Sequence, residues 1–218
     1  MSAAGKVCIG FSLPYVAKYN ANGGNPTYTG GRKLARGVEV SIEPSSSSDN
    51  SFCCDNVVAE TDAGIFTGGD LTLTVDGLLL EAEQMITGAP EPEELSYGEG
   101  KKVKILKHGI KNNPPYFGVG YIAKYRSDGV DTFVPTVLRK VRFDAPKSAA
   151  KTTENSISWQ TQALTGKLAR DDSSDHDWKW VADDQATEED AEEILKALLS
   201  VEACLLYTSP SPRDGATS

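Results

Sequence analysis

The stretch "DDSSDHD" (171–177) places side-chain oxygens at Asp171, Ser173, Asp175 and Asp177, the every-second-residue spacing of a calcium loop. Such a loop also needs glycine at its sixth position and a bidentate glutamate at its twelfth, and here His176 and Ala182 stand there. A solvated acidic turn is the expectation. His108 and His176 are the only histidines, and neither has a serine or cysteine beside it in a catalytic context, so both read as surface bases. Cys53 and Cys54 could form a reactive pair, but no basic cluster stands near them in sequence to lower a thiol pKa. Neighbours in an extended chain also point to opposite faces, a poor geometry for bridging each other, so reduced thiols are expected.

The segment "NANGGNPTYTGGRKLARG" (Asn20 to Gly37) carries five glycines and invites a phosphate-cradle reading. It lacks the Gly-Lys-Ser/Thr ending and the helix pattern behind it that would aim backbone amides at a phosphate. A flexible contact loop is the favoured reading, since structureless loops beyond about 12–15 residues are commonly functional or disordered. Trp159, Trp178 and Trp180 could line a sugar groove, against the commoner roles of a core tryptophan and a sheet-packing pair. No catalytic constellation, metal set or cofactor motif emerges, and the expectation is a protein that is not an enzyme.

The elements that must position these residues are mostly strands. Val7, Ile9 and Phe11 alternate with polar or small neighbours, as do Val38, Val40 and Ile42, then Leu71, Leu73 and Val75, then Val103 and Ile105. Phe133, Val137, Val141 and Phe143 read as one face interrupted by Arg139. Ile157, Trp159 and Thr161 read as another, and the apolar phase then shifts at Leu164, Gly166 and Leu168, predicting a bulge there. "YVAKY" (15–19) and "YIAKY" (121–125) both predict strands, with the tyrosines and alanine on one side and the lysine on the other. Seven or more half-buried strands predict a mainly β, mostly antiparallel sandwich or barrel. Two helices accompany it. "DGLLLEAEQMITG" offers Asp76 as N-cap, Leu78, Ala82 and Met85 as a stripe and Gly88 as a stop. "TEEDAEEILKALLS" opens at Thr187 with an acidic first turn and places Ala191, Ile194, Leu195 and Leu198 on one face. "EPSSSSDNS" (Glu43 to Ser51) reads as a polar hairpin tip and "EPEELSYGEGKK" as an acidic excursion.

The 218 residues suffice for one domain with its own core, assigned to residues 1–200. No apolar run reaches the length of a membrane span, and the N-terminus lacks the apolar stretch of a signal peptide. Thirty-one acids against 22 bases leave a net charge of −9, which argues against a protein that grips nucleic acid by its phosphates. Cys204 to Ser218 break with the preceding pattern, and Cys204 to Asp214 resembles the translation of a transposase sequencing adapter. Residues 201–218 are therefore expected to be unstructured and Cys204–Ser218 an artefact, with the native C-terminus lost shortly after Leu199; a disordered native tail is the alternative.

The order of segments resembles the major tail, or tail-tube, protein family of long-tailed, non-contractile bacteriophages. The resemblance covers Gly10 to Leu199. It is carried most specifically by "DNVVAETD…FTGGDLTLTVDGL" and by "VRFDAP" followed by "ISWQTQALTGKLARDD". It implies a tail-tube-type β-sandwich or barrel with one flanking helix and a C-terminal helix, self-assembling into stacked hexameric rings in the virion tail. It further implies assembly in the host bacterial cytoplasm, with tape-measure, tail-terminator and tail-tip proteins as partners. DNA would pass through the lumen unbound, no membrane would be involved, and no cofactor is implied. Within that expectation the candidate subunit contacts are Tyr28, Arg32, Lys33 and Arg36 of the glycine-rich segment, meeting Glu91, Glu93 and Glu94 on a neighbouring copy. A tail-derived secretion or particle tube, and a carbohydrate-binding or adhesion sandwich, are the alternatives.

Overall fold

The computed structural model describes residues 5–150, 152 and 159–201. The chain runs β1 (Val7–Asn20), a 3-10 turn (Asn22–Gly24), β2 (Thr27–Lys33), β3 (Gly37–Ser46), β4 (Asn50–Cys54), β5 (Val57–Asp62), β6 (Phe66–Val75) and α1 (Leu80–Thr87). It continues through β7 (Glu93–Tyr97), β8 (Lys101–Ile105), β9 (Phe117–Ser127), β10 (Val130–Phe143), β11 (Gln162–Ala169), β12 (Lys179–Val181) and α2 (Glu188–Leu198). The main sheet has the order β2-β1-β9-β10-β11-β6-β3, with β12 also on β10, and every pairing is antiparallel. Two further hairpins, β4–β5 and β7–β8, stand apart from it. The expected mainly β, antiparallel sandwich with flanking helices is the fold observed.

The sheet folds over on itself because its residues are apolar on the enclosed face. Leu71 and Leu73 of β6, Leu164 and Leu168 of β11, and Phe117 and Val119 of β9 meet there. Ala82 and Ile86 of α1 pack on the same cluster. The two ends of the sheet come so close that a Cβ on Gly37 of β3 would lie 2.3 Å from the ring of Phe11 in β1. A second cluster lies on the outer face of β1, β9 and β10, where Tyr15, Ala17, Ile122 and Val137 are covered by Ala191, Leu195 and Leu199 of the α2 region. α2 starts as its sequence dictates: Thr187 Oγ1 accepts from Asp190 N at 3.1 Å, and three acids fill the first turn.

The two pentapeptides lie in the neighbouring strands β1 and β9, offset along them and in opposite phase. Tyr15 is opposite Gly120 and Val16 opposite Val119, so Tyr15 shares a face with Gly120 and Ile122 and faces α2. Tyr121 points the other way, edge-to-face on Phe11. Lys18 and Lys124 therefore occupy opposite faces rather than equivalent ones.

Other expectations are corrected. Asn20–Gly37 is not a structureless loop, since β2 pairs with β1 along Thr27 to Lys33. Phe133 and Val137 face α2 while Val141 and Phe143 face the enclosed core, because the register of β10 shifts between Leu138 and Val141. The bulge thus lies in β10; β11 pairs with β6 in unbroken register from Gln162 to Leu168, and Trp159 precedes it in the open. Ile157 and residues 202–218 lie outside the described residues, and Val201, expected to begin the unstructured tail, instead packs on the second cluster. α1 begins after Leu79 rather than Asp76, whose carboxylate is occupied by Arg36. Gly88 ends the helix at φ 60°, where a Cβ would strike the Asn113 carbonyl at 2.0 Å. Val7, Ile9 and Val38 are exposed rather than half-buried.

Candidate functional site

The residues expected to meet a neighbouring copy fall into three environments. Tyr28 lies in the core between Tyr19 and α2, and its hydroxyl donates to the Arg139 carbonyl oxygen at 2.9 Å. It is 6% exposed, and burial pushes its hydroxyl pKa well up. The expectation that Tyr28 offers a subunit contact is corrected: its ring is already enclosed by its own chain.

Arg36 is held at the sheet end. Its backbone N–H and its Nε both donate to the Asp76 carboxylate, and Asp76 N–H donates back to the Arg36 carbonyl at 3.0 Å. The guanidinium hydrogen bond keeps the Asp76 carboxyl below its ordinary value. Lys33 is exposed at the end of β2.

Arg32 and Glu91 lie on one groove of about 730 Å³ between β2, the start of α1 and the β7–β8 hairpin, floored by Leu79, Leu80 and Met85. Arg32 Nη1 lies 3.8 Å from Glu81 Oε2 at its side. The acidic cluster is satisfied locally, with Glu93 paired to Lys107 at 2.6 Å and Glu94 to Lys102 at 2.9 Å. Of the residues foreseen as partners across an interface, Arg32 and Glu91 thus line one groove of the same chain, while Arg36, Glu93 and Glu94 are paired to other residues, and an intermolecular bridge would have to compete with these pairs.

The "EPEELSYGEGKK" stretch forms most of the β7–β8 hairpin. Leu95 opposes Val103, and Tyr97 opposes Lys101. Glu93, Leu95 and Tyr97 share a face with Val103 and Ile105, while Glu94, Ser96, Lys102 and Lys104 share the other. All ten strand residues are exposed. The Glu43–Ser51 stretch is also no tip. β3 runs to Ser46, and the chain continues into the β4–β5 arm, which turns at Asp55 and Asn56 with φ of 50° and 63°. Two consecutive left-handed residues of these types make the tight hairpin turn, a signal legible in "CCDNVV". Cys53 and Cys54 are exposed beside that turn, on opposite faces.

The "DDSSDHD" turn is built around a buried charge. Arg139 donates to Asp171 Oδ2 from Nε (2.9 Å) and Nη2 (2.6 Å), and Ser173 donates to Oδ1 from its backbone N–H and hydroxyl. Asp171 is 2% exposed, so the solvated reading fails for it, and its oxygens are spent on protein donors rather than offered to a cation. Asp177 accepts from Trp180 Nε1 at 2.7 Å, and the Trp180 ring lies 3.4 Å beneath the Arg139 guanidinium. This network was not anticipated, because its members sit up to 41 residues apart in sequence. Trp178 stacks on Phe66 at 4.7 Å. His108 reaches Glu83 at 3.2 Å and Asn112 at 3.2 Å, tying its loop to α1.

No helix among the described residues is long and apolar enough to cross a membrane. Comparison with protein-family models and with curated proteins finds no match to this chain.

Proposed function

We propose that the protein is a structural tube subunit: copies join edge to edge into hexameric rings, and the rings stack around a lumen through which DNA passes, as in the tail of a long-tailed, non-contractile bacteriophage. The observation that carries this reading is the open sheet. Among the described strands, β2 hydrogen-bonds in a ladder only with β1 and β3 only with β6, so each leaves outer backbone N–H and C=O groups unladdered, although the Gly37 end of β3 lies against Phe11 of β1. Such rows are templates for another chain. Two different edges on one subunit make a head-to-tail contact, which closes into a ring when the rotation per copy allows it. Pro44 lies in β3, where an end strand tolerates the missing donor. The net charge of −9 suits a conduit that must let nucleic acid slide past.

In this role the chain is a virion component assembled in the host cytoplasm, its length and ends set by tape-measure, tail-terminator and tail-tip proteins. A carbohydrate-binding sandwich would want a row of free aromatic faces; Trp178 and Trp180 are engaged by Phe66 and Arg139, and of the three Trp159 alone is exposed. A secretion or particle tube would share the assembly and differ in its genomic neighbours.

The test is negative-stain electron microscopy of the purified protein at rising concentration, alone and seeded with tail tips. Hollow tubes of uniform width with six-fold end views are expected. Monodisperse monomer under all these conditions, or retention on a glycan array, overturns the reading.

A further inference from the structure

Two hairpins leave the body of the molecule with apolar faces that the described residues of their own chain leave exposed. On the β4–β5 arm, Phe52, Cys54 and Val57 share a face, with Phe52 63% and Val57 68% exposed. On the β7–β8 hairpin, Leu95, Tyr97, Val103 and Ile105 share a face, with Leu95 52% exposed. A two-stranded ribbon standing alone in water is marginal, and it needs a third strand or a packed face to hold. Apolar ribbons of this kind are ordinarily covered in the state where they work.

Charge says what covers them. Asp49, Asp55, Glu60 and Asp62 lie on or beside the β4–β5 arm, and no lysine or arginine occurs between Gly37 and Val75. The β7–β8 hairpin and the segment after it, residues 93–111, carry five lysines against three glutamates. Glu93 and Glu94 are taken by Lys107 and Lys102, while Lys101 and Lys104 form no ion pair among the described residues. The strands also match in length, five residues in β4, β7 and β8 and six in β5, roughly 17–20 Å each.

We propose that the acidic β4–β5 arm of one copy lies on the apolar face of the β7–β8 hairpin of a second copy. Phe52 and Val57 cover Leu95 and Val103, and Asp55 and Glu60 come to Lys101, which stands opposite Tyr97 on that same face. The contact joins two different patches, so each copy has one arm to give and one hairpin to receive, and the chain of contacts propagates. The pairing rests on the self-assembly reading above and names the surfaces that join copies beyond the sheet edges.

The experiment uses two variants of the full chain under reducing conditions, an arm variant (Phe52→Asp with Val57→Asp) and a hairpin variant (Leu95→Asp with Val103→Asp). All four residues are exposed, so circular dichroism and melting temperature are expected to match the parent. Sedimentation velocity should show each variant alone as short of the parent's assemblies. A one-to-one mixture should gain a species that neither variant forms alone, joined through the single intact arm and hairpin. A charge pair guards against simple loss of hairpin structure: Asp55→Lys with Glu60→Lys should weaken assembly at least tenfold in concentration, and Lys101→Glu in the mixed partner should restore it. Variants that assemble like the parent, or a mixture that stays unjoined with no charge rescue, overturn the hairpin pairing while leaving the tube reading standing. A parent protein that never assembles sinks the tube reading itself.

Discussion

Arg139 and Asp171 form a two-donor ion pair closed off from water, their side chains 4% and 0% exposed. The pair is seated between Trp180 and the turn that Ser173 completes, so it ties β10 to the segment entering β12.

Removing one partner leaves the other charge buried alone, at a cost of about 3–5 kcal/mol. Arg139→Met should therefore lower the melting temperature by on the order of 10 °C in a chain of this size. The double change Arg139→Met with Asp171→Leu should recover part of that loss. A single variant that melts with the parent would show that the pair contributes nothing.

Acid should unfold the protein partly through the same turn. Burial alone would raise the Asp171 carboxyl, but hydrogen bonds from Ser173 and Arg139 outweigh it and hold the group below its ordinary value. Asp172 is lowered by Lys140, and Glu192 by the Tyr15 hydroxyl. A depressed folded pKa gives stability that is present above the unfolded value, near 4, and lost as pH falls through the folded one. Urea midpoints should drop below about pH 4, and Tyr15→Phe should flatten part of that drop. Equal pH slopes for parent and variant would contradict the assignment.

Alkali tests the other side of the core. Burial raises the hydroxyls of Tyr15, Tyr19, Tyr28 and Tyr121, with Tyr19 and Tyr121 pushed up to about 12. Their neutral forms favour the folded state below the unfolded value near 10, and that stability is lost as pH rises towards the folded values. Ultraviolet titration should show exposed tyrosines ionising first, then a cooperative step that coincides with loss of the strand circular dichroism signal. Ionisation of every tyrosine near pH 10 with the spectrum intact would refute the burial.

α2 docks where β9 has no side chains. A Cβ on Gly118 would lie 2.4 Å from the Tyr28 ring, and one on Gly120 would lie 2.5 Å from Leu195 Cδ1. Gly120→Ala should cost about 1–3 kcal/mol by overpacking, read from urea unfolding. Gly10→Ala, whose new methyl meets nothing closer than 3.6 Å, is the control and should be near neutral.

What could be read from the sequence divides along a physical line. Leu71, Leu73 and Val75 announce their strand because each alternation is satisfied inside the same element, and Thr187 announces α2 because a cap is a local hydrogen bond. β2 was missed because its one buried residue, Tyr28, is made a core residue by Arg139 and Leu199, more than a hundred positions away. The β10 bulge was missed because apolar residues stand on both sides of it, and periodicity alone does not say which face each joins. Val103 and Ile105 read as half-buried because alternation is the same whether the covering layer comes from the same chain or from another. Tyr28, Arg32 and Glu91 were legible as chemistry but not as places.

DNA offers a check on the conduit that does not depend on seeing tubes. Binding a duplex non-specifically requires cations that can neutralise phosphates and release counterions. Many of the bases here are already engaged: Lys6 with Asp184, Arg36 with Asp76, Arg126 with Asp131, Lys140 with Asp172, Lys167 with Asp70. The net charge of −9 then opposes the approach of a polyanion within the roughly 10 Å that salt leaves unscreened. At micromolar protein and low salt no shift of duplex DNA is expected in a gel, and none should appear as salt falls further. A shift that grows as salt is lowered would mean that the basic β8 strand, rather than receiving an acidic arm, holds nucleic acid, and the conduit reading would fall with it.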